Sequence, residues 1–223
     1  MIHLLHGAVG HPSDWGDFIP LLEPHAAVAP DLYGDEIASF DEIGKAINGA
    51  GQTGDVLIGY SMGGRLALHA LIDSTAPWSK AVIIGADPGS GLDVERVARD
   101  TAWAALARID WNEFCRRWAE QPVFGGKEMP WGRETDSARR EAIACGFEKW
   151  SVGRQADLRQ RLAALDIPVL WIAGGEDEKF ASLARKASAL MPAGRCEIVA
   201  GAGHRVPWDQ PELVARAIQS FLS

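Results

Sequence analysis

The stretch DVLIGYSMGGRLALHA, residues 55 to 70, joins a run of strand formers to a run of helix formers through Gly-Tyr-Ser-Met-Gly-Gly. Residues 55–58 form a brief apolar run rich in branched side chains, which predicts a short buried strand. Residues 66–72 are strong helix formers and predict a buried helix. Between them Gly59, Ser61 and Gly63 have the spacing G-x-S-x-G. A serine on so sharp a strand-to-helix turn has strained backbone angles, and two positions to either side only a residue as small as glycine fits. The turn lifts the hydroxyl clear of the sheet and leaves the next amide at a helix N-terminus. An ordinary loop has no need of this, so Ser61 is the first candidate for chemistry.

Working outward, six short apolar runs read as strands: residues 2–6, 27–31, 56–60, 81–86, 169–173 and 196–200. Helical stretches at 40–48, 64–73, 180–190 and 211–222 separate most of them. Such alternation predicts an α/β protein with a doubly wound, mostly parallel sheet, and reactive groups gather at the carboxyl ends of such strands. The alternation breaks once, between Asp87 and Ala164, where five of the nine tryptophans fall (Trp103, Trp111, Trp118, Trp131 and Trp150). Residues 88–163 are therefore expected to form a helical cap inserted within a single domain spanning residues 1–223.

A serine hydroxyl needs a neighbouring base to become reactive. GGEDEKF, after the fifth expected strand, offers Asp177, and GAGHRVPWDQP, after the sixth, offers His204. The order Ser61, Asp177, His204 is the one used on α/β-hydrolase sheets, with His204 as base and Asp177 fixing its tautomer. Glu176 and Glu178 flank Asp177, and the short reach of aspartate favours Asp177. LLHGAVGHPSDW adds His6-Gly7 at the end of the first strand, and the N–H groups of Ala8 and Met62 are the expected oxyanion hole.

These residues resemble the α/β-hydrolase superfamily over essentially the whole chain. Against the usual eight-stranded core, the sequence opens almost directly on the strand that normally comes third, so a sheet of about six strands is expected. GYSMGGRLAL, FCRRWAEQPVF, GEDEKF and GAGH are further similar to the MenH family, the 2-succinyl-6-hydroxy-2,4-cyclohexadiene-1-carboxylate synthases. That resemblance implies a lyase that eliminates pyruvate from a polycarboxylated cyclohexene in menaquinone biosynthesis, with the serine and histidine serving in proton abstraction. It also implies substrate contacts for Tyr60, Arg65, Trp118 and Arg96, with Arg99 as second choice for the last. Two departures stand out. A further substrate arginine of the family falls near Cys145-Gly146, where this chain has none, leaving Arg139, Arg140 and Arg154 as its nearest substitutes. PDLYGD also stands where DLPGHG-type sequences are common.

Composition bounds the partners. The formal net charge is -8, yet residues 88–163 hold 11 of the 16 arginines and are net +1, so the rest of the chain is -9. The acidic balance argues against nucleic acid, while an arginine-rich insert suits a small carboxylate-bearing substrate. For most of those arginines, a plain solvent-facing helix surface is the expectation. Three widely spaced cysteines, Cys115, Cys145 and Cys196, suit a reducing cytoplasm and indicate no disulfide framework, metal site or cofactor. No apolar run is long enough to span a bilayer, and no secretory signal segment is evident. The alternative reading is a serine hydrolase of small esters or thioesters working through an acyl-enzyme, and a non-catalytic binding module comes third. Arginines turned toward Ser61 would fit the lyase, and an apolar slot the esterase.

Overall fold

The computed structural model describes residues 1–34, 37–125 and 137–223; Lys127, Trp131 and Arg133 of the expected cap lie outside the described residues. All six expected strands form: β1 (Ile2–Leu5), β2 (Ala27–Val28), β3 (Val56–Tyr60), β4 (Lys80–Ile84), β5 (Val169–Gly174) and β6 (Gly194–Val199). They build one parallel sheet in the order β2-β1-β3-β4-β5-β6. Strand β2 is shorter than the sequence suggests. Pro30 cannot donate to a ladder, and Val28 sits on an exposed edge, so pairing ends after two residues.

Alternate strand residues divide between two cores. Leu5, Leu57, Ala81, Ile83, Val169 and Trp171 pack on one face with helices α1 (Phe40–Ala50), α2 (Met62–Leu71) and α7 (Glu178–Leu190). Ile2, Leu4, Ile58, Val82, Ile84 and Ile172 pack on the other with Trp15, Phe18 and α9 (Pro211–Leu222), whose Val214, Ile218 and Phe221 recur at helical spacing. A sheet covered on both faces explains why its central strands β3, β4 and β5 read as continuous apolar runs, whereas the edge strand β6 alternates, with Arg195 and Glu197 exposed. Between β4 and β5 lie α3 (Val94–Ile109), α4 (Trp111–Ala119), α5 (Arg140–Lys149) and α6 (Arg159–Leu162), with no strand among the described residues. Aspartates cap two of them: Asp93 accepts from Arg96 N–H and Asp110 from Glu113 N–H. The short helix α8 (Val206–Asp209) precedes α9.

The registers pair Leu5 with Gly59, Tyr60 with Ile84, Ile84 with Ile172 and Gly174 with Val199. The chain segments that leave β1, β3, β4, β5 and β6 therefore emerge along one edge. Residues 6–9, 61–62, 85–87, 175–177 and 200–204 meet there although far apart in sequence.

One buried group off this edge shapes acid stability. His69 on α2 stacks on Phe40 at 4.5 Å; its ring nitrogens are buried with no hydrogen-bond partner among the described residues, and Asp41 Oδ1 lies 3.8 Å from Nδ1. Burial lowers its pKa from 6.5 to about 4, with Asp41 opposing and Arg65 and Arg161 reinforcing the shift. The unfolded chain thus binds a proton between pH 6.5 and 4 that the folded chain refuses. Stability from this source is complete above pH 6.5 and falls as pH drops through that window, by up to about 1.4 kcal/mol per pH unit. Urea unfolding at pH 7, 6 and 5 should show a shallower acid loss for His69→Leu than for the wild type; identical slopes would refute the assignment.

Candidate active site

Ser61 sits between β3 and α2 with φ 51° and ψ −110°, a conformation forbidden to most L-residues. What holds it is contact on both sides. A Cβ on Gly59 would lie 2.5 Å from the Gly63 carbonyl oxygen, and one on Gly63 would lie 2.5 Å from the carbonyl oxygens of both Leu5 and His6. Backbone fills the space that side chains would need, which is the physical content of the G-x-S-x-G spacing. The Ser61 N–H donates to the Ile84 carbonyl at 2.8 Å and ties the turn to β4.

His204 Nε2 lies 3.2 Å from Ser61 Oγ, and His204 Nδ1 lies 2.8 Å from Asp177 Oδ2. With Nδ1–H donating to the carboxylate, Nε2 is left to accept from the serine hydroxyl. Asp177 is fixed in turn as the N-cap of α7, where its Oδ1 accepts the Phe180 N–H at 3.3 Å. The imidazole is buried and packed between Phe180 at 4.4 Å and Tyr60 at 5.6 Å. An arrangement of this kind can move a proton from the hydroxyl to the imidazole while the carboxylate stabilises the cation.

Ala8 and Met62 both line the cavity that contains Ser61 and His204. Met62 opens α2, so its N–H has no acceptor within the helix. The Ala8 amide is aimed by its own peptide plane. The Gly7 carbonyl accepts from Gly10 N–H at 3.0 Å and from His6 Nδ1–H at 3.0 Å, and in a trans peptide the Ala8 N–H points the opposite way. His6 is held for this task, being wholly buried with Nε2 accepting the Leu32 N–H at 3.1 Å. Sequence reasoning used His6-Gly7 to place the Ala8 amide but did not assign the imidazole this function.

Residues 4–217 match the alpha/beta hydrolase family. The chain belongs to that family. It is similar to the 2-succinyl-6-hydroxy-2,4-cyclohexadiene-1-carboxylate synthase of Serratia proteamaculans (strain 568), at 30% identity over 98% of this chain and 91% of the relative. Among solved structures, MenH from S. aureus superposes with a TM-score of 0.86 at 24% identity, covering 99% of this chain and 92% of that one. A thermophilic esterase from Thermogutta terrifontis superposes with a TM-score of 0.77 at 18% identity, covering 99% and 88%. These two likenesses show the α/β-hydrolase fold.

In this hydrolase-fold chain the cavity measures about 500 Å³. Its floor is the strand edge, and its far wall comes from residues between β4 and β5, including Trp118, Phe124, Phe147 and Trp150. Tyr60, Arg65, Arg96 and Trp118, the four positions implied by the resemblance, all line it, whereas Arg99 is exposed and does not. Their states differ. Arg96 Nε donates to Asp100 at 2.9 Å, so its charge already has a protein partner. Arg65 has no carboxylate within ion-pair distance among the described residues. Its Nη1 donates to the Gln155 carboxamide at 3.3 Å, and its guanidinium rests on the Phe40 ring at 5.8 Å. Burial lowers its pKa to about 10, which leaves it charged at neutral pH. Gln155 is fully buried and oriented by donating to the Asp87 carbonyl at 3.1 Å. Trp118 Nε1 is buried with no acceptor among the described residues, while the ring packs on Trp103, Phe114 and Phe147.

Most of the described arginines between β4 and β5 are exposed, and Arg108, Arg116 and Arg117 pair with glutamates. Arg108 bridges Glu141 and Glu148, and Arg116 bridges Glu113 and Glu120. Of that segment, Arg96 alone among the described residues reaches the cavity. Arg139 does not replace the missing family arginine. It binds Asp31 and the Gly10 carbonyl and lies over the Tyr33 ring at 5.4 Å. Arg140 and Arg154 do not line the cavity either. At Gly146 a Cβ would fall 2.7 Å from Tyr33, so the ring occupies space where the family side chain is expected.

Proposed function

We propose that the protein is a MenH-like lyase that eliminates pyruvate from a polycarboxylated cyclohexene. In this reading His204 takes the Ser61 proton, and the Ser61 oxygen then removes a proton from the ring carbon. As that carbon–hydrogen bond breaks, its electron pair shifts into the ring and the carbon–oxygen bond to the three-carbon unit breaks. The unit leaves as the enolate of pyruvate, Ser61 keeps the ring proton as its hydroxyl, and the proton held by His204 is given up as the enolate is protonated to pyruvate. The N–H groups of Ala8 and Met62 stabilise the negative charge that develops on oxygen, and Arg65, Arg96 and Trp118 hold the carboxylates. The observation that carries the reading is Arg65: a half-buried cation in the wall of the cavity whose hydrogen-bond partner among the described residues is a neutral carboxamide. A site for a neutral ester has no use for it, and leaving a charge in that state is unfavourable until an anion arrives. The 30% identity to a protein named for this synthase activity points the same way. Incubated with the synthase substrate, the purified protein should release pyruvate; no release above the spontaneous rate ends the reading.

The serine, histidine and aspartate also suit an acyl-enzyme, and the fold is shared with an esterase. A chromogenic ester separates the two: an acyl-transfer enzyme gives a burst of about one equivalent, and a lyase that uses Ser61 as a base gives none.

A further inference from the structure

PDLYGD is the segment that set this chain apart in sequence, and its tyrosine reaches the site. Tyr33 is buried, and its hydroxyl oxygen accepts the Val9 N–H at 3.0 Å while its hydrogen points to Met62 Sδ at 3.5 Å. Val9 and Met62 belong to the two segments that present the Ala8 and Met62 amides. Val9 itself has φ 58°, a left-handed conformation that a β-branched residue adopts only under constraint. The peptide plane before Ala8 is fixed by His6 and Gly10, and the plane after it is fixed by Tyr33. One hydroxyl thus links both halves of the expected oxyanion hole.

We propose that Tyr33 is a positioning residue: its hydroxyl clamps the strained turn at Val9 to Met62 and so sets the spacing between the Ala8 and Met62 amides. Several contacts keep the clamp in place. The Tyr33 N–H donates to Asp31 Oδ1 at 3.0 Å, Arg139 covers one side of the ring at 5.4 Å, and Trp150 packs at 5.9 Å. Burial also pushes the phenol pKa up to about 12, so it remains a neutral donor throughout the working range of pH. A proline at this position, as in DLPGHG-type sequences, has no group that performs the task. The clamp rests on the reading of Ser61 and of the two amides given above.

A fluorophosphonate tests it without knowledge of the substrate, because attack by Ser61 places negative charge on a phosphonyl oxygen that the two amides stabilise. Second-order labelling of Ser61, followed by intact mass, should be about tenfold slower in Tyr33→Phe than in the wild type, the loss of about one hydrogen bond. The midpoint of the pH–rate profile should not move, since His204 and Asp177 are untouched. Ile218→Val, a core substitution on the opposite face of the sheet, is the control for lost stability: it should unfold at a lower temperature yet label at the wild-type rate. Tyr33→Phe labelling as fast as wild type overturns the clamp and leaves the Ser61 reading standing. A wild-type protein that does not label at all overturns the Ser61 reading and the clamp with it.

Discussion

Asp177→Asn should slow turnover by about 10⁴-fold, and Ser61→Ala by at least as much, with Tm little changed by either. The asparagine effect follows from hydrogen-bond direction. His204 Nδ1 faces position 177 at 2.8 Å, and a carboxylate there accepts. An asparagine that turns its amide to donate forces Nδ1 to accept, which moves the proton to Nε2, 3.2 Å from Ser61 Oγ. A protonated Nε2 cannot take the hydroxyl proton, and the serine stays inert. Because the three side chains act as one device, their effects should not add: the Ser61→Ala/Asp177→Asn double variant should be no slower than the worse single variant. Multiplying losses in pyruvate release or ester cleavage would mean that they do not work through one another. This expectation is common to the lyase and the esterase, since both begin with proton transfer from Ser61 to His204.

What could be read in the sequence follows from the range of the forces involved. The turn at Ser61 is enforced by backbone atoms of neighbouring residues, so Gly59 and Gly63 announce it locally. The central strands announce themselves because a sheet buried on both faces needs unbroken apolar runs; the edge strands depart, β2 being cut short by Pro30 and β6 alternating with Arg195 and Glu197 exposed. Asp177 and His204 are found because each follows such a run. The resemblance selected Arg65 and Arg96 but carried no information about their partners. The pairing of Arg96 with Asp100 is an i, i+4 contact on α3 and was legible in principle. The pairing of Arg65 with Gln155 spans 90 residues and was not. Tyr33 shows the same limit: PDLYGD is visibly unusual, yet its contacts with Val9 and Met62 exist only once β1 and β3 lie side by side. Sequence pattern locates the groups that chemistry requires, and tertiary contact decides which of them are already neutralised.

That distinction gives Arg65 an effect of opposite sign on activity and on stability. Arg65→Met keeps the length and apolar stem of the side chain and removes its charge. Loss of a buried, charge-assisted contact to a substrate carboxylate should lower kcat/KM for the anionic substrate by about 10²- to 10³-fold, corresponding to about 3–4 kcal/mol. In the absence of ligand the same change should leave Tm unchanged or raise it. The folded protein holds this guanidinium against a carboxamide and a phenyl ring, and burial has moved its pKa down to about 10. A pKa shift in that direction means the charged form is worse off in the empty site than in water, so replacing it with an apolar side chain removes a penalty. An anion in the cavity reverses the balance. Millimolar succinate, a simple dicarboxylate, should raise Tm of the wild type, because a ligand that binds only the folded state stabilises it by mass action, and should not raise that of Arg65→Met. Arg96 provides the internal comparison. Its partner Asp100 already compensates its charge and also accepts from Ser151 Oγ at 2.6 Å, so Arg96→Met leaves a buried carboxylate without its cation and should lower Tm. If Arg65→Met instead destabilises the empty protein as much as Arg96→Met does, the guanidinium serves the fold, and the case for a carboxylate-binding site at Arg65 fails.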